Sequence, residues 1–181
     1  MAGPTLDRAD LARQLDMVCR LQGDFTLRSG ASATTYFDKY RFESDPGLLR
    51  AVAEQAVSLI PDETEVLAGL ELGGVPVATA LALETGLPLA FVRKEAKTYG
   101  TARLAEGADV AGRSVLVVED VISTGGQVAA STRELRHRDA VVRSVLCVID
   151  RSDGQHGLLN DIGVTIRAMF TSAELDGFLD A

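Results

Sequence analysis

Residues 115–126 read VLVVEDVISTGG, and this stretch decides the fold that the sequence predicts. Its first four residues are apolar and mostly β-branched, which predicts a short strand buried on both faces, as the strands of parallel sheets are. Glu119 and Asp120 follow directly. We expect both carboxylates to face solvent at the carboxyl end of this strand, where open α/β sheets bind their ligands.

A loop of small residues, STGG (123–126), follows the acidic pair. After it, QVAASTRELRHR (127–138) has helical spacing and a basic last turn, which predicts a helix. Backbone N–H groups at a helix start bind phosphate, and small residues let the phosphate approach closely. The order of strand, acids, loop and helix therefore predicts a sugar-phosphate site, although an acidic pair alone is more often a solvated loop start or a helix cap.

Composition bounds the kind of protein that the sequence encodes. A chain of 181 residues with 46% hydrophobic and 24% charged residues predicts one soluble domain. The net charge of −8 argues against nucleic acid or an anionic membrane as a partner. No stretch has the pattern of a membrane span or a secretory signal. Cys19 and Cys147 lack metal-ligand spacing, which favours buried, reduced thiols in a cytoplasmic protein.

The rest of the chain alternates apolar runs with helical patterns, which predicts a parallel-rich sheet with helices on both faces. Two extended pieces around a Ser-Gly turn are predicted from FTLRSG (25–30) and TTYFDKYRF (34–42). Further strands are predicted at 66–70, 87–92, 141–149 and 164–170, and further helices at 6–21 with Thr5 as N-cap, after Asp45-Pro46, at 75–86 and at the carboxyl terminus.

One long polar segment, residues 93–113, interrupts this alternation. Loops beyond about 12–15 residues in a compact domain are usually functional or disordered. This segment carries Arg93, Lys94 and Lys97. A solvated basic surface loop is an equally good interpretation of the segment when it is taken by itself.

Three motifs resemble a known family. VLVVEDVISTGG resembles the phosphoribosyl pyrophosphate (PRPP) signature of the type I phosphoribosyltransferases. FTLRSG…YFD (25–38) is similar to the amino-terminal substrate segment of orotate phosphoribosyltransferases, and VRKEAKTYG (92–100) to their catalytic loop. The resemblance runs from about Phe25 to Arg151 and implies the type I α/β fold. It also implies a single domain over 1–181, with a hood at about 1–40 and a mobile loop at about 93–113.

The resemblance also assigns site residues by position. Lys97 and Asp120 take the catalytic positions, and the two acids take the ribose hydroxyls. The positions that match PRPP-binding residues are Leu72, Gly73, Arg93, Lys94, Lys97, Tyr99, Glu119, Asp120, Val121, Ile122, Ser123, Thr124, Gly125, Gly126 and Gln127. The positions that match orotate-binding residues are Arg28, Tyr36, Phe37, Ser123 and Arg151. From the residues alone, Leu72-Gly73 is equally natural as a helix-entry turn, and Arg151 as a surface charge.

The implied activity is Mg²⁺-dependent transfer of a phosphoribosyl group from PRPP to orotate in pyrimidine synthesis. The Mg²⁺ is expected to be held mainly through PRPP, and a homodimer with shared active sites is implied. Two alternatives stay open. A phosphoribosyltransferase for another nucleobase predicts neither the FTLRSG segment nor an arginine at 151. A PRPP-sensing regulatory module without turnover does not require Lys97 and both acids.

Overall fold

The computed structural model describes residues 6–26, 30, 32–94 and 104–179. No helix within these residues is long and apolar enough to cross a membrane. The helices are α1 (Arg8–Cys19), α2 (Tyr40–Glu43), α3 (Pro46–Ala56), α4 (Gly74–Thr85), α5 (Gly126–Arg136), α6 (Gly157–Asn160) and α7 (Ser172–Leu179), and a 3₁₀ turn spans Val57–Leu59. The strands are β1 (Arg20–Thr26), β2 (Ser32–Phe37), β3 (Val66–Leu70), β4 (Leu89–Val92), β5 (Ala105–Gly107), β6 (Ser114–Ile122), β7 (Val141–Asp150) and β8 (Thr165–Thr171).

The main sheet has six strands in the order β5-β4-β3-β6-β7-β8. All neighbours pair in parallel except β4 and β5. β1 and β2 form a separate antiparallel pair. The mainly parallel sheet that the alternating sequence pattern predicts is therefore confirmed.

Helices cover both faces of this sheet, as predicted. On one face α1, α3, α4 and α7 pack against strand residues such as Leu116 and Leu146. On the other face α5 and α6 pack against alternate residues of the same strands, such as Val117 and Cys147. Because successive strand residues point to opposite faces, the apolar runs supply both cores at once.

The helix starts show which capping signals hold. Asp45 accepts hydrogen bonds from the N–H groups of Gly47 and Leu48, so the predicted start of α3 at Asp45-Pro46 is confirmed. The first helix begins later than predicted, because Asp7 and not Thr5 is its N-cap. It also ends earlier, at Cys19, because the next residues already pair as β1.

The predicted extended piece at 34–42 is only partly correct. β2 ends at Phe37, and residues from Tyr40 onward form α2. Asp38 accepts a hydrogen bond from the N–H of Tyr40 at 3.2 Å, which favours a turn there. The helical turn places Phe42 in the core, where it is fully buried.

The strand predicted at 115–118 is longer in the structure. β6 continues to Ile122 because its pairing with β7 continues, with Glu119 opposite Cys147 and Ile122 opposite Asp150. The acidic pair therefore lies within the strand, and the expectation that it follows the strand is wrong.

The long segment after β4 is also more structured than predicted. Residues 105–107 form β5, which pairs with β4, and Leu104 and Val110 beside it are buried. A three-residue strand is too short to give a periodic signal. The predicted mobile loop at 93–113 is therefore too long, since residues 105–107 within it belong to the sheet. Lys97 and Tyr99 lie outside the described residues.

The central strands carry the core, which gives a stability prediction. Leu146 is fully buried in β7, whereas 82% of Leu83 on α4 is exposed. We expect Leu146→Ala to lower the unfolding free energy by about 2–5 kcal/mol, because it leaves a cavity between packed layers. Leu83→Ala serves as the matched control and should change it little. Urea denaturation measures both, and equal losses would contradict this view of the core.

Candidate active site

The sheet has one point where the connections diverge. β3 leads through α4 to β4 on one side, and its other neighbour β6 leads through α5 to β7 on the opposite side. Open α/β sheets bind ligands in the crevice at such a point, outside the carboxyl ends of the strands. Residues 71–74 follow β3, and residues 119–126 cover the end of β6 and the turn into α5. The topology therefore brings the two predicted segments together.

Two glycines let these segments touch. A Cβ at Gly73 would lie 1.7 Å from Asp120 Oδ2, and one at Gly74 would lie 2.3 Å from the carbonyl oxygen of Val118. Gly73 has a φ of −69°, which any residue can adopt, so space and not backbone conformation demands glycine there. The segment after β3 therefore packs directly on the acidic end of β6.

Asp120 is the centre of a buried ionic group. Its Oδ2 lies 2.6 Å from Lys39 Nζ, and its Oδ1 accepts a hydrogen bond from the N–H of Val121 at 2.6 Å. Asp120 has 0% exposure, and Glu119 beside it is also buried. The expectation that these carboxylates face solvent is therefore wrong, because the strand continues past them and residues 39, 43 and 73 surround the Asp120 carboxylate.

The charges in this group are shared unequally. Burial and the adjacent Asp120 raise the pKa of Glu43 to about 9 and that of Glu119 to about 9. Burial opposes ionisation of Asp120 as well, but hydrogen bonds with Glu43 and Glu119 and the ammonium of Lys39 lower its pKa. Burial disfavours the charge on Lys39, yet Asp120 raises its pKa. Near neutral pH the negative charge therefore lies on Asp120, opposite Lys39.

Lys39 and Glu43 were missed by sequence reasoning. Both lie in the stretch that was predicted to be extended, where residues four apart do not share a neighbour. In a helical turn, residues at i and i+4 lie side by side, and Lys39 and Glu43 both reach Asp120. A prediction of a helical turn at residues 39–43 would have placed these two side chains beside each other.

The small-residue loop leads into α5. Ser123 and Thr124 are exposed, and Gly125 adopts a φ of +70° just before the helix begins at Gly126. A Cβ at position 125 would lie 3.1 Å from Cγ and Cδ1 of Leu159 on α6, so a side chain there would press against Leu159. The first N–H groups of a helix have no partner within the helix, so this exposed turn can bind an anion.

The other residues predicted to bind PRPP near this loop face elsewhere. The side chains of Val121 and Ile122 pack into the two apolar cores. The carbonyl oxygen of Ile122 accepts a hydrogen bond from the N–H of Arg151 at 2.7 Å. Gln127 donates from its side-chain amide to Ser131 one turn along α5. Val121 and Ile122 can therefore contribute to a ligand site only through their backbone.

Arg151 and Phe37 meet at the end of β7. The Arg151 guanidinium lies 5.9 Å from the centroid of the Phe37 ring, and both line a cavity of about 400 Å³. Tyr36 points to the opposite face of β2, where its ring lies 5.4 Å from that of Phe25. The structure therefore brings Phe37 to Arg151 but not Tyr36. Arg28 lies outside the described residues.

Two of the predicted loop cations stand at the end of β4. The N–H of Arg93 donates to Leu104, and the N–H of Lys94 donates to Glu71 at 3.2 Å. Arg93 Nε is buried and has no acceptor among the residues that the structure describes. The backbone of Lys94 therefore lies beside Glu71, and Arg93 lines a cavity with Glu71, at the start of the segment that contacts Asp120.

Comparisons with known proteins agree with this arrangement. Residues 41–165 match the family model described as phosphoribosyl transferase domain, the class of protein that the fold and the site define. The chain is 56% identical over 177 residues to an orotate phosphoribosyltransferase of Nocardioides sp., with 98% of each chain covered. An orotate phosphoribosyltransferase structure from Mycobacterium tuberculosis, in complex with Fe(III) dicitrate, is 33% identical with a TM-score of 0.84, covering 94% of this chain and 99% of that one. The same enzyme in complex with PRPP has a TM-score of 0.81 at 29% identity, with the same coverage. The chain belongs to the orotate phosphoribosyltransferase family, as the three motifs predicted.

The contact of Gly73 with Asp120 gives a second prediction. We expect Gly73→Ala to lower the unfolding free energy by about 1–3 kcal/mol, because the new methyl group overlaps the Asp120 carboxylate. Gly177→Ala is the matched control, since no atom lies within 4 Å of its Cβ position on α7. It should leave stability unchanged or raise it slightly. Chemical denaturation of both variants decides it, and an unperturbed Gly73→Ala protein would refute the close packing.

Proposed function

We propose that the protein catalyses the transfer of the 5-phosphoribosyl group from PRPP to orotate, giving orotidine 5′-phosphate and diphosphate in pyrimidine synthesis. The observation that carries the proposal is the meeting of three groups at one edge of the sheet. These are the acidic pair on β6, the glycine turn that begins α5, and Arg151 after β7. The names of the similar proteins support the same activity.

The acids and the glycine turn suit the phosphoribosyl half of PRPP. We assign Glu119 and Asp120 to the ribose hydroxyls, and the backbone N–H groups from Ser123 to Gln127 to the 5′-phosphate, at the start of α5. Because Asp120 is buried under Lys39, the Lys39 side chain has to move for a ribose hydroxyl to reach it. The Lys39 side chain is 32% exposed, so we propose that it moves towards solvent.

The diphosphate is assigned to the opposite side of the crevice. Leu72 and Gly73 follow β3 there, and Arg93 and Lys94 stand at the end of β4. We propose that Lys97 is the main catalytic cation and that Tyr99 donates a hydrogen bond to phosphate, although both lie outside the described residues. Cations placed where the departing diphosphate gains charge stabilise the transition state.

Orotate is assigned to the cavity beside Arg151. A guanidinium presents two parallel N–H donors that match a carboxylate, and that of Arg151 lines this cavity beside the Phe37 ring. Ser123 follows β6, which pairs with the strand before Arg151, and we assign it a contact with the base. Tyr36 and Arg28 remain proposed contacts through the hood segment.

Magnesium is proposed to arrive with the substrate. Mg²⁺ prefers oxygen ligands and keeps several of its waters. In residues 6–26, 30, 32–94 and 104–179 no group of three or more His, Cys, Asp or Glu side chains is arranged to hold a metal ion. We propose that the ion would be held mainly by the diphosphate and ribose oxygens of PRPP. Bound there, the ion neutralises charge on the leaving group.

The reaction asks little covalent chemistry of the protein. Orotate N1 gives up its proton to solvent or to diphosphate and forms a bond to ribose C1. The bond from C1 to the diphosphate oxygen breaks, and its electron pair leaves with diphosphate. Positive charge develops on the ribose, and we assign the ionised Asp120 carboxylate to face it from the protein side. Positioning the two substrates and stabilising these charges supply most of the barrier reduction.

The direct test follows the loss of orotate absorbance with PRPP and Mg²⁺, against a panel of uracil and purine bases. We expect turnover with orotate and with none of the other bases in the panel. Turnover with a purine but not with orotate would assign the protein to another nucleobase. PRPP binding without turnover on any base would indicate the regulatory module.

Substitution of Arg151 separates the two substrates. We expect Arg151→Ala to weaken orotate binding by about 2–5 kcal/mol, because the orotate carboxylate loses its charged partner. Uracil, which has no carboxylate, and PRPP should bind nearly as before. The control is Arg143→Ala, which changes an exposed arginine on β7, the strand that precedes Arg151. Equal losses for orotate and PRPP would show that Arg151 acts on the fold of the site instead.

We also propose a cytoplasmic homodimer that shares its active sites, with residues 1–181 as one domain and residues 1–40 as its hood. The free, buried Cys19 and Cys147 suit a reducing compartment. In the proposed dimer, Lys97 of one protomer serves the PRPP site formed by Asp120 of its partner. Each active site then combines residues of both protomers.

Mixing two inactive variants tests this sharing. Equal amounts of Lys97→Ala and Asp120→Asn chains, dissociated and reassociated, give about half hybrid dimers. In each hybrid one site carries both changes and the other neither, so about a quarter of wild-type activity should return. If each loop closes over its own protomer, every site keeps one change. A mixture that stays inactive, with hybrids confirmed by native mass spectrometry, would therefore exclude sharing through Lys97.

A further inference from the structure

The ion pair of Lys39 with Asp120 joins two parts of the fold. Lys39 lies between the end of β2 and the start of α2, close behind Phe37. Its Nζ lies 2.6 Å from Asp120 Oδ2, at the core of the main sheet. The segment that carries the proposed base-binding residue is therefore fixed by charge to the proposed ribose-binding residue.

Glu43 approaches the same carboxylate from α2. A Cβ at Gly73 would lie within 2.8 Å of Glu43 Oε1 as well as against Asp120 Oδ2, so these two oxygens are neighbours. Glu43 is 9% exposed, and its Oε1 accepts no hydrogen bond from the residues that the structure describes. A buried carboxyl group that keeps its proton can donate a hydrogen bond to a neighbouring carboxylate.

We propose that Lys39 and Glu43 are positioning residues for the phosphoribosyl transfer. The ammonium of Lys39 keeps Asp120 ionised. The protonated carboxyl group of Glu43 donates a hydrogen bond to Asp120 Oδ2 and thereby orients the Asp120 carboxylate. This inference rests on the proposed function for its activity test. The two residues keep Asp120 ionised and oriented before PRPP binds. When PRPP binds, Lys39 moves away from Asp120.

The proposed roles of Lys39 and Glu43 depend on the charges of all the titratable groups around Asp120. An opposite charge within hydrogen-bond distance lowers the pKa of a carboxyl group, and a like charge raises it. Besides Lys39, the titratable groups that act on Asp120 or on its immediate partners are Glu43, Glu119, Asp38, Tyr40 and Cys147. Lys39 is the cation of this set, so removing it leaves only acidic groups in the set.

The pH profile of kcat/KM for PRPP tests the role of Lys39. Loss of the ammonium raises the pKa of Asp120, so in Lys39→Gln the acidic limb should move up by about one pH unit or more. Lys39→Arg keeps the charge and should restore the limb towards that of the wild type. Arg41→Gln removes a cation two positions away that contacts Val18 and Asp38 instead, and its limb should not move.

A Lys39→Gln profile that is lower at every pH but has the same limb would overturn the proposal, because a structural role predicts a uniform loss. Calorimetric PRPP affinities at the same pH values give a second readout that needs no turnover. If the wild type binds PRPP but transfers it to no base, the proposed function fails while the shift in PRPP affinity still tests Lys39.

The stability of Glu43→Gln tests the second half without any substrate. The folded-state pKa of Glu43 is about 9, above its unfolded value, so the unfolded chain loses this proton first as pH rises. The wild type should therefore lose unfolding free energy between the two pKa values, and Glu43→Gln should lose less. Glu84→Gln, on the exposed surface of α4, should keep the wild-type dependence.

Two outcomes of these comparisons would refute a protonated Glu43. The first is a wild-type pH dependence in Glu43→Gln. The second concerns turnover: the amide of glutamine still donates to Asp120, so Glu43→Gln should keep most activity while Glu43→Ala loses it. Equal losses in both variants would contradict a donating role.

Discussion

Residues 73 and 74 approach the end of β6 so closely that neither position has room for a side chain. This contact joins the ends of the two central strands and buries Asp120, whose carboxylate then cannot be solvated by bulk water. A buried charge needs a partner, and Lys39 supplies it from the hood side of the molecule. The position of the hood segment therefore depends on the same contact that forms the crevice.

The layered sheet could be predicted because its signals are local. The apolar run at 66–70 coincides with β3, and Asp45-Pro46 starts α3 as predicted, because caps and β-branched runs act over a few neighbouring residues. Family motifs added what no periodicity contains. They singled out Asp120 and Arg151, which the topology places at the ends of adjacent parallel strands.

The parts that could not be predicted depend on tertiary contacts. Nothing in the residues around Asp120 indicates that the strand continues past it, since that follows from pairing with β7. Its burial depends on Gly73, and its charge depends on Lys39 and Glu43, which are distant in sequence. The separation of Tyr36 from Phe37 follows from the alternation of β2, which only the sheet partner makes evident.

The most direct test of the account is a crystal structure of the protein with orotidine 5′-phosphate bound. If Asp120 binds a ribose hydroxyl as proposed, the hydroxyl oxygen should lie about 2.5–3.0 Å from the Asp120 carboxylate, the range of a hydrogen bond between hydroxyl and carboxylate oxygens. The phosphate should lie at the start of α5, and Lys39 should have moved away from Asp120 Oδ2. A ribose bound elsewhere, with the 2.6 Å ion pair intact, would contradict it.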